Sequence, residues 1–124
     1  MPLEHINYTV TDPVATATFL CEIFDWKIRW QGESIGGGLS VHVGEEDSYV
    51  ALYNPKKPLA EATSSYGQKG GLNHIGVVVE DLDVTEAKVI GAGYKPHLHA
   101  DYEPGRRFYF DGPDGIEIEV VSYA

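Results

Sequence analysis

An internal repeat constrains this chain more than any other feature. Laying the sequence on itself so that His5 meets His74 sets Leu3-Glu4-His5-Ile6 over Leu72-Asn73-His74-Ile75, Val10 over Val79 and Asp12 over Asp81. After a one-residue slip, Trp26-Lys27 falls over Tyr94-Lys95. Two copies make a paired module, since a stacked solenoid needs at least about three. The chain of 124 residues is therefore expected to fold as one domain built from two small modules.

Each copy reads as strand, helix, strand, strand, strand. Residues 3 to 10 alternate, with Ile6, Tyr8 and Val10 on one face and His5, Asn7 and Thr9 on the other. Ile75, Val77 and Val79 alternate in the same way in the second copy. Asp12-Pro13 is an N-cap and first-turn pair that opens a helix to about Phe24, with Phe19, Leu20 and Ile23 on its buried side. Asp83 and Glu86 are expected to open the second helix, which ends at Gly91 or Gly93. Strand-like runs follow at Lys27 to Gln31, Leu39 to Val43 and Tyr49 to Tyr53, then at Lys95 to Asp101, Arg107 to Phe110 and Ile116 to Val121. The breaks fall at Gly36-Gly37-Gly38, Gly44 to Asp47, Glu103-Pro104-Gly105 and Gly112-Pro113-Asp114-Gly115. The expected boundaries are module one over about 1–54, a linker over 55–71 and module two over about 72–124.

Composition narrows the partners. Nine Lys and Arg against nineteen Asp and Glu give a formal charge of −10, which disfavours phosphate backbones and anionic lipid surfaces. Nucleic acid and membrane are not expected partners. The single Cys21 lies in an apolar helical run and reads as a packed side chain, and a reducing cytoplasm is the expected location. Gly36 to Gly38 is no phosphate loop, because no Lys-Ser/Thr follows it; a flexible hairpin is expected there.

Of the five histidines, only His5 and His74 occupy matched positions of the repeat, on the face of their strands away from the helix. If the two sheets pack about a pseudo-two-fold axis, both imidazoles face a shared concavity. On the last strand Ile116, Ile118 and Val120 turn toward the helix, so Glu117 and Glu119 turn toward the histidines. Two His and one carboxylate with open coordination positions suit a divalent cation doing Lewis-acid work. His97 and His99 are expected on one face of their strand, beside Arg107 and Tyr109.

With these residues in hand, the chain resembles the vicinal oxygen chelate superfamily: glyoxalase-type lyases, fosfomycin-modifying transferases, extradiol dioxygenases, epimerases and metal-free bleomycin-binding proteins. The landmarks are Leu3 to Ile6, Leu72 to Ile75, Phe24-Asp25-Trp26, and Arg107 through Glu119 with its Pro113-Asp114-Gly115 turn. The resemblance implies an α+β, glyoxalase-like fold, with two βαβββ modules forming a cup-shaped mixed sheet. It selects Glu119 over Glu117, so the implied metal ligands are His5, His74 and Glu119, holding Fe, Mn, Ni or Zn. It also implies a homodimer, with modules exchanged between subunits in many members. The chain departs from glyoxalase-type lyases at Tyr49 to Tyr53, which carries no acid where they add a carboxylate.

The candidate substrate-contacting residues are Asn7, Trp30, Tyr49, His99, Arg107 and Tyr109. Two functions follow from the resemblance. One is a metal-dependent lyase, isomerase, thiol transferase or dioxygenase that chelates neighbouring oxygens of a metabolite. The other is a metal-free binding protein that sequesters a drug or metabolite.

Overall fold

A computed structural model describes residues 1–124 apart from Ala62 and Glu103. The chain divides into two compact units, Met1–Leu59 and Ala60–Ala124. The first contains β1 (His5–Thr9), α1 (Pro13–Phe24), β2 (Lys27–Glu33), β3 (Leu39–Gly44) and β4 (Tyr49–Asn54). The second contains β5 (Ile75–Val78), α2 (Leu82–Gly91), β6 (His97–Tyr102), β7 (Gly105–Asp111) and β8 (Glu117–Ser122). Each is a βαβββ module with one four-stranded mixed sheet, ordered β1-β4-β3-β2 in the first and β5-β8-β7-β6 in the second. In both, the first strand runs parallel to the last and the remaining pairs are antiparallel.

The first unit's core lies between α1 and its sheet. Phe19, Leu20 and Ile23 pack from the helix, Val41, Val43 and Leu52 from the strands, and Val10 from just beyond β1. Burial of each such side chain stabilises the fold by about 1.5–3 kcal/mol relative to exposure. Asp12 caps α1 by accepting from the Ala15 N–H at 3.0 Å, and Pro13 occupies the first turn. The helix ends at Asp25, in the left-handed region at φ 58°, whose N–H returns to the Cys21 carbonyl. Cys21 is half-buried and desolvation raises its thiol, which opposes thiolate formation.

The second unit repeats the plan with Leu82 and Val89 of α2 against Phe108, Phe110, Ile118 and Val120. Here the expected helix start is corrected. The cap is Asp81, whose carboxylate accepts from the Val84 N–H at 3.0 Å, while Asp83 sits in the first turn and pairs with Arg106 at 3.1 Å. Asp81 is the repeat partner of Asp12, so both modules begin their helix in the same way.

The expected hairpin at Gly36 to Gly38 is present, with Glu33 of β2 paired to Leu39 of β3, whereas β6 departs from its expected alternation. Gly36 to Gly38 joins a short 3-10 turn at Ile35–Gly37, in which Gly36 and Gly37 take φ 66° and 78°. The Tyr53 hydroxyl pins this turn by donating to the Ile35 carbonyl at 2.7 Å. In β6 the pairing shifts between His97 and Ala100, around Leu98 at φ 53°. One extra residue in a strand reverses the alternation beyond it, so His97 and His99 lie on opposite faces. Glu103, the first residue of one expected break, lies outside the described residues.

Candidate functional site

In the second unit the sheet face away from α2 collects the chemistry. Tyr109 on β7 is registered opposite Glu119 on β8, and Gly76 on β5 flanks Glu119 on its other side. A cross-strand pair projects to the same face, and Gly76 brings no side chain to fill the space beside the carboxylate. His74, two residues before Gly76, brings its Nε2 to 3.2 Å from Glu119 Oε1.

Glu119 is held from three directions. The Tyr109 hydroxyl donates to Oε1 at 2.9 Å, and Arg107 Nη1 donates to Oε2 at 3.0 Å. His74 closes the third side, its ring edge-on to Tyr109 with centroids 5.4 Å apart. The Arg107 and Glu119 side chains are only 11% and 13% exposed, so the ion pair is largely removed from water. Arg107 also donates to the Gly105 carbonyl at 3.3 Å and lies over the Tyr102 ring at 4.7 Å. Burial first, and then the hydrogen bond to Glu119, pushes the Tyr109 phenol up to about 12, so it stays a protonated donor.

Nothing in the sequence pattern points to Tyr66. It lies in the expected linker, yet its hydroxyl donates to Glu117 Oε1 at 2.8 Å and stands 3.5 Å from His74 Nδ1. The hydrogen bond to Glu117 raises its phenol pKa. No periodicity signals this reach, because the contact comes from a loop.

His99 is placed away from this group. Its Nε2 lies 3.0 Å from Glu86 on α2 and its ring faces Phe108 of the core, on the helix side. The bulge at Leu98 is the reason: contrary to expectation, it turns His99 off the face that Arg107 and Tyr109 share. His97 keeps the Tyr109 side, with Nε2 3.7 Å from Asp111.

The first unit places four rings in a row on the face away from α1. His5 stacks on Tyr49 at 4.9 Å, Tyr49 on His42 at 4.6 Å, and His42 meets Trp30 at 5.0 Å. Register explains the row: His5 is opposite Tyr49, and His42 is opposite Trp30. The Arg29 guanidinium lies 4.5 Å from the Tyr49 centroid. Trp30 is 47% exposed and its indole lies over Gly32, where a Cβ would come within 2.8 Å of the ring. Asn7 is exposed on β1, two residues along from His5. His5 itself bonds Glu4 at 2.8 Å, and that bond is the first cause of the lowered Glu4 carboxyl. His42, unassigned in sequence, is a rung of this ladder; burial holds its imidazole below the usual range.

The first unit also has a recess of about 480 Å³, lined by Asp25, Lys27, Arg29, Gly44, Glu45 and Glu46. None of the six is a residue that the sequence singled out for chemistry. The recess is open and of mixed charge.

Among the described residues no three His, Cys, Asp or Glu side chains gather as a metal cage. His74 and Glu119 nevertheless suit a cation as a pair. Donor atoms about 2.1 Å from one ion are separated by roughly 3.0 Å at right angles and 3.4 Å at tetrahedral angles. The observed 3.2 Å lies between these values.

Residues 3–120 match the family described as the Glyoxalase/Bleomycin resistance protein/Dioxygenase superfamily. The chain belongs to that superfamily. Solved structures agree on the fold. A glyoxalase/bleomycin resistance protein/dioxygenase domain from Frankia is 22% identical with a TM-score of 0.83, covering 98% of this chain and 97% of that one. The antibiotic-binding protein TnmS3 from Streptomyces is 18% identical with a TM-score of 0.77, over 100% and 97%. A variant of the fosfomycin resistance protein FosX from Listeria monocytogenes, complexed with Mn(II) and a dihydroxypropylphosphonic acid, is 18% identical with a TM-score of 0.75, over 97% and 90%. Comparison with curated proteins gave no match. No helix among the described residues is long and apolar enough to cross a membrane.

Proposed function

We propose that this superfamily member is a divalent-metal enzyme acting on a small metabolite with two neighbouring oxygens. The metal is held by His74 and Glu119, with His5, the repeat counterpart of His74, as third ligand. The observation that carries this reading is the 3.2 Å approach of His74 Nε2 to Glu119 Oε1. A bound Fe, Mn, Ni or Zn ion supplies Lewis acidity toward the substrate oxygens. Arg107 fixes Oε2 and leaves Oε1 on the side of His74. Tyr109 offers a protonated phenol beside that oxygen. Trp30, Tyr49 and Asn7 supply an apolar and amide surface for the remainder of the substrate. The active form is a homodimer in a reducing cytoplasm.

The Arg107–Glu119 ion pair favours a second reading. It already neutralises the carboxylate, as a metal-free binding protein would need, and the likeness to TnmS3 points the same way.

Elemental analysis of untagged protein separates the two. The enzyme reading requires metal on purification or on reconstitution with Fe(II), Mn(II), Ni(II) or Zn(II), and strong loss in His5→Ala, His74→Ala and Glu119→Ala. Less than about a tenth of an ion per chain after reconstitution leaves the binding protein. Mixing the His5→Ala and His74→Ala chains then reads out module exchange. Recovered metal binding means that the two histidines are contributed by different subunits.

A further inference from the structure

The His74 imidazole has two ring nitrogens, and only Nε2 faces Glu119. What stands at the other is a phenol from outside the repeat. Residues 65–71 form a tight loop in which the Gln68 N–H returns to the Ser65 carbonyl and the Gly71 N–H to the Gln68 carbonyl. Ser65 Oγ donates to the Leu72 carbonyl at 2.9 Å, and a Cβ on Gly71 would strike the Ser65 carbonyl oxygen. The loop therefore carries Tyr66 back across the residues that lead into β5. There the hydroxyl gives its proton to Glu117 at 2.8 Å, and the lone pairs of the same oxygen lie 3.5 Å from His74 Nδ1. Tyr66 can accept from Nδ1–H while donating to Glu117, which orders the three groups as His74, Tyr66, Glu117.

We propose that Tyr66 is a positioning residue for His74, its oxygen engaging Nδ1–H and its hydroxyl anchored on Glu117, so that Nε2 is presented toward Glu119. The proposal rests on the metal-enzyme reading. Histidine ligands commonly give their second nitrogen to a carboxylate, carbonyl or water, and loss of that partner weakens metal binding by 10 to 100-fold. Here a tyrosine stands between the ring and the carboxylate. Glu117, passed over as a ligand, then acts one residue removed.

The test is titration of the metal-free full chain with Co(II) alone, following the visible absorption of the bound ion, with thermal melts of the same samples. Tyr66→Phe keeps the ring and removes the oxygen; it should weaken Co(II) about tenfold and leave the melting temperature within about 2 °C. Glu117→Met, which removes the acceptor, should weaken Co(II) to a similar extent, and the double variant should be no weaker than either single one, because the groups act in series. Gln68→Ala breaks a bond to Thr63 in the same segment without touching His74, and should leave affinity unchanged.

Wild-type affinity in Tyr66→Phe, additive losses in the double variant, or an equal loss in Gln68→Ala overturns the proposal. Should Tyr66→Phe fail to fold, Glu117→Met tests the same series with the ring in place. A wild-type chain that binds no Co(II) overturns the metal-enzyme reading and the relay with it, an outcome distinct from binding that ignores Tyr66.

Discussion

Replacing Arg107 by Met removes a positive charge, and with it the guanidinium that lies over Tyr102, while keeping an unbranched apolar stem. Both members of the Arg107–Glu119 pair are almost nine-tenths buried and 3.0 Å apart. Breaking a buried pair costs about 3–5 kcal/mol, because the surviving ion keeps its desolvation penalty. Tyr109 and His74 still reach Glu119, so the lower figure applies, about 3 kcal/mol. For a chain of this size that lowers the melting temperature by about 12 °C. The effect on a metal has two parts of opposite sign. Freeing Oε2 loosens the carboxylate, a loss of about tenfold in affinity. Removing a unit charge roughly 5 Å from a divalent ion, at an effective dielectric near 20, favours the ion by several kcal/mol. The second term is larger, so Arg107→Met should bind Mn(II) more tightly than wild type, and saturating Mn(II) should restore much of the lost melting temperature. The assay is a thermal melt at pH 7.5 with and without Mn(II), with Glu119→Gln and the double variant alongside. The reasoning is refuted if Arg107→Met melts within about 3 °C of wild type, or if Mn(II) raises both melting temperatures equally.

Two other predictions concern Tyr109 and the helix starts. In an ultraviolet titration of phenolate absorbance, one of the eight tyrosines should ionise near pH 12, and Tyr109→Phe should remove that late step. Because the folded state holds this proton more tightly than the unfolded chain, the contribution to stability is fully present below about pH 10 and disappears as pH rises toward 12. Asp12→Ala and Asp81→Ala should each cost about 1 kcal/mol in denaturant melts, and Asp83→Ala clearly less, since its exposed pair with Arg106 is a surface ion pair.

The repeat made most of the fold legible. It set both modules, all eight strands to within a few residues, and the α1 cap, because alternation and capping are local physics. The α2 cap was legible too: Asp81 aligns with Asp12, and the capping-box spacing of Asp83 and Glu86 distracted from it. Alternation on β7 and β8 placed Arg107, Tyr109 and Glu119 on one face. Register sets Tyr109 opposite Glu119 and Arg107 opposite Val121, so the Arg107–Glu119 ion pair is a diagonal contact that alternation alone does not single out. The face of His99 is not legible, because nothing marks Leu98 for the left-handed region, where glycine or asparagine is the usual signal. The reach of Tyr66 to Glu117 is not legible either, because an aperiodic stretch gives no direction to its side chains.

The bulge at Leu98 has a counterpart in β2, where the pairing shifts between Ile28 and Trp30. Both irregularities fall on the outermost strand of their sheet, next to β3 in one unit and β7 in the other. An outer strand has a neighbour on one side only, so gaining or losing a residue there disturbs a single ladder and leaves the other three strands in register. Such a change exchanges every side chain beyond it between the open face and the helix. A lineage can thus re-line either sheet by length changes alone, swapping a histidine for a leucine at the same place in space without a point substitution, while the other three strands keep their packing under α1 and α2.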